Sequence, residues 1–315
     1  MKLKFKFTLM IITSLSLFLL GACGNGDGSE GSTGEAKSVL VDGSSTVFPI
    51  MEAVAEEYSA ENPDVRATIG VSGTGGGFEK FISGETDISN ASRPITEEEI
   101  SLLEKNGIEY TEIEVALDGL SVVVNKDNDW VDSLTVEELN KMWLDSGNVE
   151  TWADVREGWP EEEIEFFSPG TDSGTYDYFD EVILGGDQIR KDASLSEDDN
   201  TLVQGVTGTP NGIAYFGYAY YLENQDQLKI VPIVNSKGEE VTPSEETIQS
   251  GEYEPLSRPL FIYVNNESLK KEAVYDFMKY TINNAGEMAE AVGYVALPDS
   301  NYEEALTTLE ENKGE

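Results

Sequence analysis

Short runs of β-branched and aromatic residues alternate along this chain with segments whose apolar positions recur every three or four residues. The first pattern is typical of strands and the second of amphipathic helices. Strands are predicted at residues 39–41, 65–71, 110–115, 120–124, 165–167, 212–215, 229–232 and 260–264. Helices are predicted at residues 48–59, 77–83, 96–106, 136–143, 175–183, 269–283 and 303–310. Strands and helices that take turns in this way indicate an α/β fold.

Some of the predicted helices carry terminal signals. Thr96 and Glu99 have the spacing of a capping box, and so do Thr135 and Glu138. The asparagine and proline at residues 62–63 are expected to end the first helix, because a residue before proline avoids the α region.

Four loops rich in glycine and hydroxyl side chains carry the candidate chemistry. They lie at residues 43–46, 72–77, 91–94 and 171–175. Three of them run directly into a predicted helix, where unpaired N–H groups and the positive end of the helix dipole favour an anion. Taken alone, each could be only a helix cap or a flexible turn. Because more than a hundred residues separate the loops, together they predict an oxyanion enclosed from two sides.

The chain lacks the residues that most enzyme mechanisms need. The chain has no histidine and one cysteine, which excludes a Ser-His-Asp triad, a Cys-His pair and most zinc sites. It has neither a phosphate loop nor a calcium-loop spacing, so no metal or cofactor is predicted. A carboxylate pair for glycoside hydrolysis stays open, although no pair stands out among the 61 acidic residues.

The N-terminal residues predict export. Three lysines precede an uncharged stretch, so residues 1–22 are interpreted as a signal peptide. The stretch of about 16 residues is shorter than the roughly 20 that span a bilayer. Residues 20–23, Leu-Gly-Ala-Cys, resemble a bacterial lipobox, so Cys23 is expected to be lipidated; a plain signal peptide with an incidental cysteine is the alternative. Residues 23–37 are then the lipidated cysteine and a flexible tether.

The excess of acidic residues limits the classes of molecule that the chain can bind. The chain has 61 acidic and 20 basic residues, a formal net charge of −41. Such a chain is unsuited to nucleic acid, whose binding rests on Lys and Arg, and to an anionic membrane surface. The acidic residues are interpreted as a solvated surface suited to high salt or an alkaline exterior.

Five motifs in order resemble those of one family. They are Gly-Ser-Ser-Thr-Val-Phe-Pro at 43–49, Ser-Gly-Thr-Gly-Gly-Gly at 72–77, Asp-Ile-Ser-Asn-Ala-Ser-Arg-Pro at 87–94, Gly-Thr-Asp-Ser-Gly-Thr at 170–175 and Gly-Ile-Ala-Tyr-Phe-Gly at 212–217. In order and spacing they resemble the PstS family, the phosphate-binding lipoproteins that feed the phosphate ABC transporter. The resemblance runs from about residue 39 into the C-terminal region.

The resemblance implies a two-lobed type II periplasmic-binding-protein fold, in which each lobe is a mixed sheet flanked by helices. The length of the chain also indicates two domains, since the roughly 280 residues after the tether exceed the usual size of one core. Lobe 1 is expected to be discontinuous, with residues 38–117 and 259–315, and lobe 2 to be residues 118–258. The strands expected to cross between the lobes lie at residues 115–124 and 258–264. Closure would be a hinge motion about them.

The resemblance also implies that phosphate is bound by hydroxyls, backbone N–H groups and a guanidinium. The binding residues expected on this basis are Ser45, Thr46, Val47, Thr74, Gly75, Ser92, Arg93, Asp172, Ser173, Gly174 and Thr175. Thr46 and Val47 would offer N–H groups, and Arg93 would pair with phosphate oxygens. Taken alone, an arginine such as Arg93 would more often form a surface ion pair in so acidic a chain.

Asp172 lies where the chain departs from the family pattern. Some members carry an arginine before the Ser-Gly-Thr of the second loop and an aspartate after the Ala-Ser of the first lobe. This chain has Pro169 and Arg93 at those positions. Asp172 is hypothesised to accept the proton of hydrogen phosphate and to repel sulfate. A loop-capping Asx turn is the alternative.

The resemblance predicts a monomeric, non-enzymatic receptor. It would be anchored through Cys23 on the outer face of the cytoplasmic membrane, and its partners would be inorganic phosphate and the permease subunits of an ABC transporter. Two alternatives from other classes remain. One is a receptor of the same fold for sulfate, molybdate or phosphonate, and the other is an exported hydrolase.

Overall fold

The structure is a computed structural model, and it describes residues 37–171 and 173–313. The strands in these ranges are β1 (Lys37–Gly43), β2 (Val65–Ile69), β3 (Ile88–Ala91), β4 (Tyr110–Asn125), β5 (Leu134–Thr135), β6 (Glu165–Pro169), β7 (Ser194–Ser196), β8 (Gly212–Gly217), β9 (Leu228–Ile230), β10 (Ile233–Val234), β11 (Glu240–Val241) and β12 (Ser257–Asn265). The α-helices are α1 (Phe48–Glu61), α2 (Gly73–Ile82), α3 (Glu97–Asn106), α4 (Val136–Trp143), α5 (Trp152–Val155), α6 (Gly174–Phe179), α7 (Asp199–Gly208), α8 (Tyr218–Asn224), α9 (Glu245–Gln249), α10 (Glu272–Ala291) and α11 (Asp299–Asn312). A π-helical turn, Asp180–Leu184, continues α6.

One long strand joins the two halves of the fold. The main sheet has the order β2-β1-β3-β12-β4-β8-β6-β7, and β9 pairs with β4 at its end. The first part of β4 pairs antiparallel with β12, up to Gly119 opposite Ser257. From Leu120 onward β4 pairs instead with β8. The strand therefore changes partner at one point, between Gly119 and Leu120.

Separate hydrophobic cores lie on either side of this point and define the two lobes. The first lobe has one core between the β1-β3-β12-β4 sheet and helices α1 and α10, and a second core beneath α2 and α3. The second lobe has a core of aromatic and aliphatic residues around Trp143 and Trp152, and a smaller cluster beneath α7. The α/β two-lobed fold expected from the sequence is thus confirmed, whereas the residue boundaries of the lobes stay a prediction.

Most predicted elements form, with differences that have physical reasons. The two runs at residues 110–115 and 120–124 form the single strand β4, because buried Asp118 and Gly119 continue the ladder opposite β12. Residues 88–91, where no strand was predicted, form β3 with buried Ser89 and Asn90. The glycines at 73–77 are not a loop before α2 but its first turn. Gly77 suits that position, because a Cβ there would lie 2.5 Å from the Cα of Gly43.

The predicted helix ends are confirmed at three places. Both capping boxes form, at Thr96 and Glu99 before α3 and at Thr135 and Glu138 before α4. Helix α1 ends at its C-cap, Asn62.

The predicted signal peptide, Cys23 and most of the tether lie outside the described residues. Lys37, expected as the last residue of the tether, begins β1. Within residues 37–171 and 173–313, no helix combines the length and the apolar character needed to cross a membrane.

Candidate functional site

The first site loop follows β1 and leads into α1. Gly43 has φ 141° and a Cβ there would lie 2.1 Å from the Asn90 carbonyl oxygen, so only glycine fits. Beyond it the backbone N–H groups of Thr46 and Val47 donate to Ser44 Oγ, at 3.1 and 3.4 Å. Both N–H groups therefore converge on one point at the N-terminus of α1, as an oxyanion site requires.

The second and third loops meet in the first lobe. Thr74 Oγ1 lies 3.1 Å from Ser92 Oγ and accepts the Ser92 N–H at 3.2 Å. Thr74 and Gly75 lie in the first turn of α2, and Ser92 directly follows β3. A Cβ at Gly75 would meet no atom within 4 Å, so this turn borders open space. The structure thus brings together two hydroxyls predicted from distant sequence positions.

Arg93 forms a two-point ion pair with Glu99. Its Nη1 and Nη2 each lie 2.9 Å from a carboxylate oxygen of Glu99, and Nη1 also donates to the Pro94 carbonyl oxygen. Although partial burial opposes the charge, hydrogen bonds from Arg93 and Thr96 lower the pKa of Glu99. The predicted pairing of Arg93 with phosphate stays a prediction, because most of its donors contact protein oxygens in this structure.

The fourth loop leads into α6 in the second lobe. Ser173 is the N-cap of α6, and its Oγ accepts the Thr175 N–H at 3.2 Å. Gly174 packs directly on the first loop, since a Cβ there would lie 2.7 Å from the Thr46 Cα. Asp172 lies outside the described residues, so its proposed contact with a phosphate proton is still a hypothesis.

Contacts between loops of the two lobes show that they are closed on each other here. Thr46 Oγ1 donates to the Gly174 carbonyl oxygen at 3.5 Å, and Ser45 Oγ donates to Asp177 Oδ2 at 2.8 Å. The N-terminal ends of α1 and α6 therefore face one another. Two helix N-termini that converge in this way favour an anion between them.

A second arginine, Arg258, lies beside these loops and was not predicted as a site residue. It is 9% exposed, and its Nη2 donates to Thr46 Oγ1 at 2.9 Å. Its guanidinium also lies 3.7 Å from the centre of the Tyr178 ring. The sequence placed it at the start of the crossing strand expected at residues 258–264, but no local pattern marked it as a site residue.

A cavity of about 510 Å³ opens beside the paired loops. Ser45, residues 173–175 of the fourth loop, and two acidic residues of the second lobe, Glu197 and Asp199, line it. Burial, with smaller contributions from Asp198 and Glu197, raises the pKa of Asp199 to about 6. The cavity therefore combines donors for an anion with carboxylates that oppose it. No cluster of acidic or cysteine side chains with metal-binding geometry occurs in the part of the chain that the structure describes.

The fold and the facing loops define a two-lobed binding protein of the PBP superfamily, and a sequence profile of the PBP superfamily domain matches residues 28–285. Similarity to individual proteins identifies the family within this superfamily. The chain is 47% identical over 294 residues to the "Phosphate-binding protein PstS" of Staphylococcus saprophyticus, over 93% of this chain and 90% of the relative. The chain belongs to the PstS family of phosphate-binding proteins.

Two further similarities cover most of the chain. The "Protein SphX" of Synechococcus elongatus is 48% identical over 277 residues, which are 87% of this chain and 82% of that protein. The crystal structure described as a possible phosphate binding protein from Planctomyces limnophilus superposes with a TM-score of 0.86 at 46% identity. That comparison covers 89% of this chain and 99% of the other, so the similarity includes both lobes.

Proposed function

We propose that this chain binds inorganic phosphate between its lobes and delivers it to the permease of an ABC transporter. The observation that carries the proposal is the contact between the N-terminal ends of α1 and α6, at Thr46 and Gly174. Donors from two lobes meet there, and dipoles at both helix ends favour an oxyanion. Relatives named as phosphate-binding proteins support phosphate as that anion.

The proposed binding set combines the described donors with those predicted from the sequence. It consists of Ser45, Thr46, Val47, Thr74, Gly75, Ser92, Arg93, Asp172, Ser173, Gly174 and Thr175. The Thr46 and Val47 N–H groups would exchange Ser44 Oγ for a phosphate oxygen. Such local donors act at about 3 Å, whereas the distant surface carboxylates are screened beyond a Debye length of about 8 Å at physiological salt. A strongly acidic protein can therefore bind an anion.

We further infer that the chain is a monomeric receptor anchored outside the cytoplasmic membrane and that it is not an enzyme. Cys23 in its lipobox supports a lipid anchor. Radiolabelled palmitate incorporated into the wild-type chain and absent from a Cys23→Ser variant would support the anchor. Equal labelling of both would contradict it.

Isothermal titration calorimetry tests the ligand. The chain from residue 24 onward, freed of bound ligand by unfolding and refolding, is titrated with phosphate and separately with sulfate. We expect one phosphate per chain with a Kd of micromolar or tighter, about −8 kcal/mol or more favourable, and no heat from sulfate. Binding of sulfate, molybdate or phosphonate without phosphate would assign the site to another oxyanion. Hydrolysis of a phosphate ester would instead indicate an exported hydrolase.

A further inference from the structure

The Arg258 side chain contacts parts of both lobes and the strands that connect them. It lies on β12 directly opposite Asp118 of β4, next to the point where β4 changes partner from β12 to β8. From there its guanidinium reaches Thr46 in the first lobe and stacks on Tyr178 of α6 in the second lobe. One side chain thus contacts the connecting strands, the first anion loop and the helix that follows the fourth.

The distances around Arg258 show which partner holds it most closely. Nη2 lies 2.9 Å from Thr46 Oγ1, whereas Nε is 3.4 Å from Asp118 Oδ2 and Nη1 is 3.4 Å from Glu181 Oε2. The Glu181 side chain is 59% exposed, so that pair is screened by water. The shortest bond of this buried cation is therefore the one to the anion loop.

Asp118 orients the Arg258 guanidinium with one hydrogen bond and leaves its other N–H groups to other partners. The residue is fully buried, and its Oδ1 has no hydrogen-bond partner among the described residues. Burial raises the pKa of Asp118, while the Arg258 charge and hydrogen bond act in the opposite direction. Because the second oxygen stays unpaired, Asp118 and Arg258 make a single-point contact and not the two-point pair that Arg93 forms with Glu99.

The bond from Arg258 determines what the Thr46 hydroxyl can do. A hydroxyl has one proton to donate and two lone pairs that accept. Since Arg258 occupies a lone pair, the Thr46 proton points elsewhere, and in this structure its acceptor is the Gly174 carbonyl oxygen at a long 3.5 Å. An anion between the loops offers that proton a stronger, charged acceptor. The guanidinium also polarises the hydroxyl as a donor, because hydrogen bonds in a chain strengthen one another.

We propose that Arg258 is a positioning residue of the anion site. Held by Asp118, it acts through Thr46, whose hydroxyl it aims at a bound oxyanion, and it adds positive charge where the two lobes meet. This inference rests on the proposed function, since it assigns Arg258 a part in binding the same phosphate. The positive charge that sequence reasoning assigned to Arg93 then has a second, more deeply buried source.

Calorimetric titration of phosphate into wild type and into Arg258→Gln, Arg258→Lys and Arg156→Gln variants tests the inference. Arg156 is the matched control, because it also pairs with a carboxylate and stacks on an aromatic ring, but contacts Glu138 and Trp159 instead. We expect Arg258→Gln to weaken phosphate binding about tenfold or more, the effect expected for a charge-assisted hydrogen bond. Arg258→Lys should recover part of this loss, and Arg156→Gln should bind like wild type.

A double-mutant cycle separates action through Thr46 from a merely structural role. In a Thr46→Val background the hydroxyl is gone, so Arg258→Gln should cause a clearly smaller further loss of affinity than in wild type. Equal losses in both backgrounds, or wild-type affinity in Arg258→Gln, would overturn the inference. If Arg258→Gln does not fold, judged by circular dichroism, the same cycle with Arg258→Lys decides. The wild-type titration alone decides the proposed function, so the two failures are distinguishable.

Discussion

Replacing Gly174 with alanine should prevent the lobes from closing while leaving each lobe folded. The added Cβ would lie 2.7 Å from the Thr46 Cα, 2.8 Å from its Oγ1 and 3.1 Å from its Cβ. Ordinary carbon contacts lie at about 3.5–4.0 Å, so the two loops must separate by about an ångström. The first of these clashes is with main chain, which no side-chain rotation can relieve. The Gly174 N–H, a proposed phosphate donor, is kept.

The size of the effect follows from the cost of overpacking. Inserting a methyl group into a tight contact costs about 1–3 kcal/mol. If only the closed, liganded form suffers this cost, the affinity for phosphate falls roughly 5- to 150-fold. The ligand-free protein can relieve the clash by opening at the hinge. Since alanine is also a better helix former than glycine, the free energy of unfolding without ligand should not fall.

Calorimetry with phosphate and urea unfolding without phosphate together test this prediction. The matched control is Gly208→Ala, at the end of α7 in the same lobe, where a Cβ would meet nothing within 4 Å. Gly208→Ala should bind phosphate like wild type. Unchanged affinity in Gly174→Ala would refute the reasoning, because the lobes would then not approach each other at Thr46 in the liganded protein.

Two further predictions concern stability. Burial raises the pKa of Asp199 to about 6, above the 3.8 of an unperturbed aspartate, so its ionised form opposes folding. Asp199→Asn should therefore raise Tm at pH 8, and this gain should shrink as pH falls from about 6 towards 4. A gain that persists undiminished at pH 4 would show that the carboxylate charge is not its cause. Thr135→Ala removes the capping box of α4, where Thr135 Oγ1 accepts the Glu138 N–H at 3.1 Å, and should lower the free energy of unfolding in urea by about 1 kcal/mol. Phosphate affinity should be unchanged, and a loss of affinity would contradict a purely local role.

The sequence predicted those parts of the site that depend on local backbone rules. Helix N-termini, capping boxes and glycine-rich turns are properties of short segments, so the loops around Thr46 and Gly174 could be found without a structure. The contact of Thr74 with Ser92 also lay within reach, because both belong to neighbouring motifs of one lobe.

What escaped prediction depends on pairs that are distant in sequence. Arg258 contacts Thr46 across 212 positions and Asp118 across 140, and no local pattern encodes either pairing. The strand β3 was missed because Ser89 and Asn90 are polar yet fully buried, which contradicts the usual apolar pattern of a strand. The start of α2 was missed because its run of glycines is typical of a flexible turn, whereas Gly77 is required there by its close approach to Gly43.

The position of β12 between β3 and β4 constrains the order in which the chain can fold. The main core of the first lobe contains residues of β1 and α1 together with residues of β12, α10 and α11. The large core of the second lobe draws almost entirely on residues 117–256. During synthesis or export from the N-terminus, the second lobe can therefore complete its core while the first waits for the last segment of the chain. A released chain that ends at residue 256 would hold nearly the whole core of the second lobe but lack the strand and helices that complete the first.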